Sequence, residues 1–311
     1  MNRSAVIAGF SSVALALSAR PALSANLPLN IGVFPTEGAA EAFYALQLGF
    51  FKDAGIDATL TPIASASAIA TAVSSGSLDV GFGSAIPLAA ARARGIGFRI
   101  ISPAVVYASG NGAMAIAVAK NSPIQKASDL NGTTLGVNGV REFSDYAALA
   151  WIDKNGGDVK SVKVAELPFA EMAAALAAGR IAVAAMAEPY VSSMSADVRI
   201  IGYPMAAVAP KFSMTVWFSS DAWLQKNPDL AKRFQTVMRR SAVWANAHEK
   251  ESVALLATYT KLSPDSLAHM IRSRYDENLP DAAQIQPVID AAVRYGGFTP
   301  IKADDIMWKS G

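Results

Sequence analysis

Short apolar runs alternate with Ala-rich amphipathic segments along most of the chain. Residues 29–34 predict a first strand, and residues 39–54 predict a helix because their Phe and Leu side chains recur at helical spacing. The alternation continues with strands predicted at 57–63, 78–82, 98–106, 134–137, 162–166, 181–186 and 199–202, and helices at 65–75, 84–94, 143–155 and 170–178. This order predicts an α/β fold with parallel strands and helices on both sheet faces.

Two similar segments lie about a hundred residues apart in this pattern. Gly76 to Pro87 and Gly179 to Pro189 each follow an Ala-rich helix, read as a short buried strand, and lead into another helix. The repeat predicts two α/β lobes that face each other. Strand ends and helix N-termini would then surround a shared cleft that suits a small molecule.

Two apolar segments are predicted to join the lobes. Residues 113–119 would form the first crossing and residues 212–218 the return crossing. The first lobe would then comprise residues 26–115 and 215–311, and the second lobe residues 116–214. The part from Asp221 onward is predicted to be mostly helical and to pack back on the first lobe.

The first 25 residues differ in composition from the rest and predict a cleaved export signal. Arg3 supplies a positive charge, residues 5–19 are apolar and uncharged, and small or apolar residues precede Ala25. The apolar run is shorter than the roughly 20 residues that span a bilayer as a helix. We therefore expect cleavage near Ala25 and an exported mature chain. The alternative is a buried N-terminal helix.

The charge of the predicted mature chain gives no reason to expect nucleic acid as a partner. Of 311 residues, 17% are charged and 52% hydrophobic, which is typical of a globular protein. Removing residues 1–25 removes two Arg and no acid, which leaves 25 Lys and Arg against 25 Asp and Glu. A neutral chain without a basic stripe has no electrostatic attraction for nucleic acid or anionic membranes.

Composition and spacing also bear on catalysis and metal binding. The chain has no Cys, and its two His, His248 and His269, have no acidic cluster at metal-ligand spacing. No Ser–His–acid set, paired catalytic carboxylates or phosphate-binding loop is recognisable. We therefore expect no catalytic residues, no metal and no cofactor.

An ordered set of short motifs runs along the chain: 45–56 (ALQLGFFKDAGI), 75–83 (SGSLDVGFG) with Pro87 and Gly95, 122–132 with its Ser-Pro-Ile and Ser-Asp-Leu-Asn-Gly steps, 174–179 (AALAAG) and Glu188-Pro189. With this set the chain resembles the periplasmic substrate-binding proteins of ABC importers for nitrate, sulfonates, taurine and thiamin-pyrimidine precursors. The resemblance covers nearly the whole predicted mature chain. One position departs from the pattern, because Ala182 stands where the family usually has Asp. The first lobe keeps its Asp79.

The resemblance implies a type II two-lobed periplasmic binding protein fold, with two crossing strands as the hinge. It also implies a non-enzymatic, monomeric, periplasmic receptor that captures a small organic solute and delivers it to an inner-membrane permease with an ATPase. The alternative is an enzyme on the same fold, dehydratase-like or pyrimidine-synthase-like, although the latter carry a Cys-rich motif that is absent here. A regulator's sensing domain is a third class, but no DNA-binding element precedes the first strand.

The candidate binding residues of the first lobe follow its predicted strands. Ligands of open α/β sheets bind outside the carboxyl ends of the strands. Backbone amides of a following helix hold anions, and small residues allow close approach. These criteria select Thr36, Glu37, Gly38, Gly83, Ser84 and Ala85. The alternative for Thr36 and Ser84 is a helix cap without a ligand role.

The second lobe contributes the corresponding loops. Its candidates are Asn138, Gly139, Arg141, Phe143, Ser144 and Glu188, with Tyr107 as a wall residue and Asn111, Tyr190, Met214 and Trp217 as looser ones. Arg141 would bind a carboxylate or sulfonate through two parallel hydrogen bonds. The alternatives are an Arg141 side chain that is exposed to solvent and paired with Glu142, or one that pairs with Glu37 across the cleft. Glu188 would accept bonds from an amine, amide or hydroxyl, or else be a helix-start acid. The ligand is therefore a sulfonate, a carboxylate or a nitrogen-containing solute.

Overall fold

A computed structural model describes residues 26–63, 65–108, 112–279 and 281–309. The predicted export signal and Asn111 lie outside these residues. In chain order the strands are β1 Leu27–Val33, β2 Ile56–Pro62, β3 Val80–Gly83, β4 Phe98–Pro103, β5 Val105–Ala108, β6 Met114–Ala119, β7 Thr134–Val137, β8 Lys163–Glu166, β9 Val183–Ala187, β10 Val198–Gly202, β11 Lys211–Ser213, β12 Val216–Ser220 and β13 Arg274–Tyr275.

Helices connect the strands and make up most of the C-terminal part. They are α1 Ala40–Gln47, α2 Phe50–Asp53, α3 Ala66–Ser74, α4 Ala85–Arg92, α5 Phe143–Lys154, α6 Met172–Ala177, α7 Tyr190–Ser193, α8 Met205–Val208, α9 Asp221–Lys226, α10 Pro228–Ala247, α11 Glu249–Thr260, α12 Pro264–Leu267 and α13 Ala282–Arg294. Short 3-10 helices lie at Glu37–Ala39, Ala127–Leu130, Phe169–Glu171 and Ala303–Ile306.

The strands form two five-stranded sheets, one for each lobe. The first has the order β2-β1-β3-β12-β4 and the second the order β10-β6-β9-β7-β8. In the first, β1 is parallel to β2 and β3; in the second, β7 is parallel to β8 and β9. The predicted α/β fold and its two lobes are therefore confirmed.

Each sheet contains one reversed strand. β12 is antiparallel to β3 and β4, and β6 is antiparallel to β9 and β10. Both are the strands by which the chain enters a sheet from the other lobe, which explains their reversed direction. The expectation of purely parallel sheets was wrong at these two strands.

The first crossing lies earlier in the chain than predicted. Residues 114–119 are the interior strand β6 rather than a connection, so the assignment of residues 113–119 as a crossing was wrong. The connection includes β5, which is antiparallel to β11 of the return segment and to β13 of the C-terminal part. The order of this third sheet is β11-β5-β13. An apolar run cannot distinguish a crossing from a buried strand, because both exclude water.

The predicted helix over residues 39–54 is two helices with a break between them. Gly49 has a left-handed backbone, with φ of 75°, and separates α1 from α2. Glycine adopts this conformation without the β-carbon clash that other residues have. Helical spacing of the Phe and Leu side chains persists across the break, so the hydrophobic pattern did not reveal it.

The C-terminal helices pack on both lobes. α10 lies along α1 and β4, whereas α13 contacts α4 on one side and α5 on the other. A single buried cluster includes Tyr44 of α1, Val105 of β5 and Phe143 of α5, so apolar packing is continuous from one lobe to the other. None of the helices within the described ranges has the length and hydropathy of a membrane span.

Candidate functional site

A cavity lies between the two sheets, at the ends of their strands. It is lined from the first lobe by Phe34, Thr36, Gly38, Ala66, Phe82 and Ser84, from the second by Met114, Asn138, Glu142, Phe143, Ser144, Phe169, Ala187 and Glu188, and from the connecting and C-terminal segments by Ala113, Met214, Thr215 and Ser273. The space open to the centre of a water molecule is about 50 Å³. A single water centre needs roughly 10–15 Å³, so only a small group fits without opening of the lobes.

The wall of this cavity is predominantly apolar and aromatic. Its side chains include four Phe rings and two Met thioethers, and hydroxyls, one amide and two carboxyl groups supply the polar atoms. Phe34 and Phe82 meet edge to face, with ring centroids 5.0 Å apart. No Lys or Arg is among the described residues of the lining. A cavity with aromatic walls and a few convergent polar groups is typical of a small-molecule site.

The structure brings seven of the predicted site residues together in this lining. They are Thr36, Gly38, Ser84, Asn138, Phe143, Ser144 and Glu188. Six others, Glu37, Gly83, Ala85, Tyr107, Gly139 and Arg141, lie nearby or elsewhere without lining it. Of the looser candidates, Met214 lines the cavity, Tyr190 stacks on Phe169 with centroids 5.7 Å apart, and Trp217 is fully buried in the first lobe.

Thr36, Gly38 and Ser84 follow strands β1 and β3, and they differ in how their neighbours hold them. Thr36 precedes the 3-10 helix at Glu37–Ala39, but its side chain makes no capping hydrogen bond, so the predicted cap is absent. Gly38 lies close to the core, because an added β-carbon would meet Val105 at 3.2 Å and Phe82 at 3.3 Å. Ser84 does act as a cap, because its hydroxyl accepts the Ile86 amide at 3.4 Å. The capping and lining roles of Ser84 therefore coexist.

Glu37 points away from the cavity into the protein. Its Oε1 accepts the Arg272 Nε at 2.5 Å and its Oε2 accepts the Ser273 amide at 2.7 Å. Burial raises its pKa, and the Arg272 charge opposes that rise. Both carboxylate oxygens are thus engaged by the C-terminal segment. Glu37 holds that segment against the end of β1.

Glu188 lines the cavity with its carboxyl group already hydrogen-bonded. Its Oε1 accepts from the Ser192 hydroxyl at 2.9 Å and from the Ile271 amide at 3.2 Å, and its Oε2 accepts the Ser192 amide at 3.1 Å. Burial raises its pKa, and the Ser192 bonds oppose the rise. The Ile271 bond ties the second lobe to the C-terminal segment.

Arg141 lies outside the cavity, whereas its neighbour Glu142 lies in the cavity wall. The backbone of Arg141 is left-handed, with φ of 63°, and its amide donates to Asp145 Oδ2 at 2.8 Å. The exposed Arg141 side chain lines a separate surface groove that includes Arg94 and Val140. Glu142 is only 4% exposed. Sequence reasoning identified this loop but could not tell which of two adjacent charged residues faces inward.

Two more predicted residues support the site without lining it. Gly139 leaves no room for a β-carbon beside the Glu142 carboxyl group, so its small size makes the position of that group possible. Tyr107 packs on Phe212, with ring centroids 5.1 Å apart, and borders a smaller space next to Ala113.

Asn138 and Ser144, which both line the cavity, are bonded to each other. The Ser144 hydroxyl donates to Asn138 Oδ1 at 2.6 Å, which fixes the amide at the cavity wall.

Several lining residues carried no signal in the sequence. Phe34, Phe82 and Phe169 belong to apolar runs or helix starts that read equally well as core. Ser273 and Thr215 come from segments far along the chain, and only the packed structure brings them to the strand ends. No cluster of His, Asp and Glu suited to a metal is present in the parts of the chain that the structure describes.

Two facing α/β lobes, joined by paired strands and enclosing a cavity at their strand ends, define the class of two-lobed periplasmic binding proteins. Over residues 38–252 the sequence matches the family model described as "NMT1/THI5 like". The match covers most of the chain, which therefore belongs to this family. No curated protein matches the sequence.

Solved structures share the fold at low sequence identity. The alkanesulfonate-binding protein SsuA of Xanthomonas axonopodis pv. citri, bound to MOPS, is 19% identical, with a TM-score of 0.73 over 92% of this chain and 99% of that one. The periplasmic nitrate-binding protein NrtA of Synechocystis PCC 6803 is 15% identical, with a TM-score of 0.75 over 89% and 83%. The ligand-binding component of an ABC-type import system of Staphylococcus aureus, with zinc bound, is 17% identical, with a TM-score of 0.79 over 91% and 97%.

Proposed function

We propose that this protein is the exported solute-binding receptor of an ABC importer. It would capture a small organic solute in the cavity between the lobes and deliver it to an inner-membrane permease driven by an ATPase. The cavity carries the proposal, because both lobes and both crossing segments contribute to one predominantly apolar wall. A solute held between two lobes can be released when the lobes separate, which suits capture followed by transfer.

The proposal includes export and a simple subunit organisation. Residues 1–25 would be removed near Ala25, and the mature chain would work in the periplasm as a monomer. The first lobe would comprise residues 26–113 and 215–311, and the second residues 114–214, because β6 begins at Met114 and belongs to the second sheet. The fold shared with periplasmic nitrate-binding and alkanesulfonate-binding proteins supports export and a binding role.

A receptor accounts for the polar groups of the cavity better than an enzyme does. Glu142 and Glu188 both accept hydrogen bonds from backbone amides, and the Ser144 hydroxyl donates to an amide side chain. An activated nucleophile would instead need an adjacent base within hydrogen-bond reach. We therefore propose a binding role without turnover.

Thermal unfolding of the mature chain with a solute panel tests the receptor role. A solute at about 100 times its dissociation constant should stabilise the folded state by roughly 2.7 kcal/mol, because it binds only that state. Native mass spectrometry of protein purified from its own host should show the same solute, unaltered. A conversion of any stabilising solute into product would instead favour the enzyme, and stability unmoved across the whole panel would argue against a receptor.

A further inference from the structure

Glu142 makes a hydrogen bond from one lobe to the other at the cavity wall. It immediately precedes α5 of the second lobe, and its Oε1 accepts the Ser67 amide at 2.8 Å. Ser67 belongs to the first turn of α3 in the first lobe. The bond joins residues 75 positions apart in the sequence. Because its two partners belong to different lobes, this bond depends on their closed arrangement.

The carboxylate occupies the N-terminus of α3. The first amides of a helix have no acceptor within the helix, and the helix dipole favours negative charge at that end. In α3 the Ile69 amide begins the intrahelical bonds, and the Ala68 amide donates to the Ser65 hydroxyl. The Ser67 amide donates to Glu142. The protein therefore supplies its own anion at the place where an anionic ligand would otherwise be favoured.

The charges around the cavity reinforce this reading. Glu142 and Ala66 both belong to the lining, so the contact between Glu142 and the start of α3 lies at the cavity wall. Glu188 adds a second carboxyl group, and the described lining contains no Lys or Arg. Burial raises the pKa of Glu142, and the hydrogen bonds from Ser67 oppose that rise and favour the charged carboxylate. Glu166, which accepts the Val140 amide at 3.0 Å, is exposed and does not line the cavity, so solvent screens its charge. An anion placed in this apolar space would meet like charge without a paired cation, which is costly when buried.

We propose that Glu142 is the closure and specificity residue of this site: its carboxylate completes the closed form at α3, and the cavity takes uncharged or cationic solutes and rejects anions. The inference rests on the receptor role proposed above. It assigns the charge class of the solute and one residue that sets it.

Benzoate, benzamide and benzamidine test the charge rule, because they share one ring and differ in charge. Isothermal titration should show that benzamidine or benzamide binds at least tenfold more tightly than benzoate, with nitrate and ethanesulfonate as further anions.

Glu142→Gln should reduce the preference for benzamidine over benzoate at least tenfold, because it removes the charge and keeps the shape. Glu166→Gln is the matched control: it removes a charge nearby without a bond between the lobes, and should change the preference less than twofold. Preferential binding of benzoate, nitrate or ethanesulfonate by the unmodified chain would overturn the proposal.

Hydrogen exchange of the Ser67 amide tests closure without any solute. In the unmodified mature chain this amide should be protected, because its acceptor is Glu142. Glu142→Ala should speed its exchange at least tenfold and leave the Ile69 amide unchanged, whereas Glu166→Gln should alter neither. Equal exchange of Ser67 in the unmodified chain and in Glu142→Ala would refute the closure role.

The two experiments separate this inference from the receptor role. Tight binding of anions would refute the charge rule and leave the receptor standing. The Ser67 amide could be protected from exchange in a chain that binds none of the probes and none of the wider solute panel. This result would overturn the receptor role and the charge rule, but the contact between the lobes would stand.

Discussion

At the residue scale, the carboxyl groups near the cavity are fixed by partners from distant parts of the chain. Glu37, Glu142 and Glu188 each accept a backbone amide from another segment. Glu41 differs from them. Its Oε2 accepts the Trp217 indole at 2.8 Å, but its buried Oε1 has no hydrogen-bond partner among the described residues. Of these four carboxyl groups, it is the one with a buried oxygen that lacks a partner in the described part of the chain.

Glu41 should make the protein less stable as the pH rises. Burial raises its pKa well above the usual carboxyl range; the Trp217 bond opposes this rise, and the negative charge of Asp276 adds to it. The folded state therefore holds the proton more tightly than the unfolded chain. The stabilisation from this tighter proton binding is fully present below the pKa of Glu41 in the unfolded chain. It is lost as the pH rises toward the higher pKa of Glu41 in the folded state. Glu41→Gln should flatten the fall in unfolding free energy between about pH 4 and 7, measured by urea denaturation.

The control for Glu41 is an exposed carboxyl group. Glu171→Gln removes the same charge at an exposed position and should leave the pH dependence of stability as it is in the unmodified chain. Identical pH slopes for Glu41→Gln and the unmodified chain would mean that the buried carboxyl group is not a source of the dependence.

At the scale of elements, α13 has an unusual position, because it contacts α4 of the first lobe and α5 of the second. Its start is defined by Asp281, whose Oδ1 accepts the Ala283 amide at 2.9 Å. Near its other end, the Tyr295 hydroxyl donates to Asp153 Oδ2 at 2.9 Å. The helix is therefore capped at its start and tied to α5 near its end, and its stability affects both lobes.

Loss of the α13 cap should destabilise the fold. Asp281→Ala removes the side-chain acceptor of a first-turn amide and should lower the unfolding free energy by about 1 kcal/mol. Asp281→Asn keeps an oxygen at the same position and should recover most of that loss. Chemical denaturation of the two variants checks the prediction, which fails if Asn is as destabilising as Ala.

At the scale of the whole molecule, one buried ion pair holds the C-terminal part to the first lobe. The Arg272 side chain is 15% exposed and that of Glu37 is fully buried. Arg272 also donates to the Glu249 carbonyl and to the Ser252 hydroxyl. The guanidinium thus connects the end of β1, the start of α11 and the segment that leads into β13.

Breaking this pair from one side should cost more than replacing both partners. Arg272→Met leaves a buried carboxylate without its cation and should cost about 3–5 kcal/mol of unfolding free energy. The double variant Arg272→Met with Glu37→Gln should recover part of this loss, because no unpaired charge remains. Urea denaturation of both single variants and the double variant measures the coupling. Strictly additive losses would contradict a direct interaction.

The sequence predicted the order of strands and helices and the loops at the cavity, because both follow from local patterns. The direction of individual side chains depended on contacts that local patterns do not contain. Glu37 was assigned to the ligand but bonds to a segment more than 230 positions later. Glu142, considered only as a partner of Arg141, belongs to the cavity wall because of Gly139 and Ser67. Long-range packing decided each of these cases.

The sheet β11-β5-β13 also determines how the lobes are able to move. The lobes are joined by two segments, which contain β5 and β11. Two separate segments would allow the lobes to twist as readily as to bend. The third strand, β13, widens the connection and makes it stiffer against twisting. β13 comes from the C-terminal part, and Arg274 and Tyr275 pair with Val106 and Val105 of the first connection. We therefore expect the lobes to rotate about a single axis, with β13 remaining paired to β5 throughout that rotation.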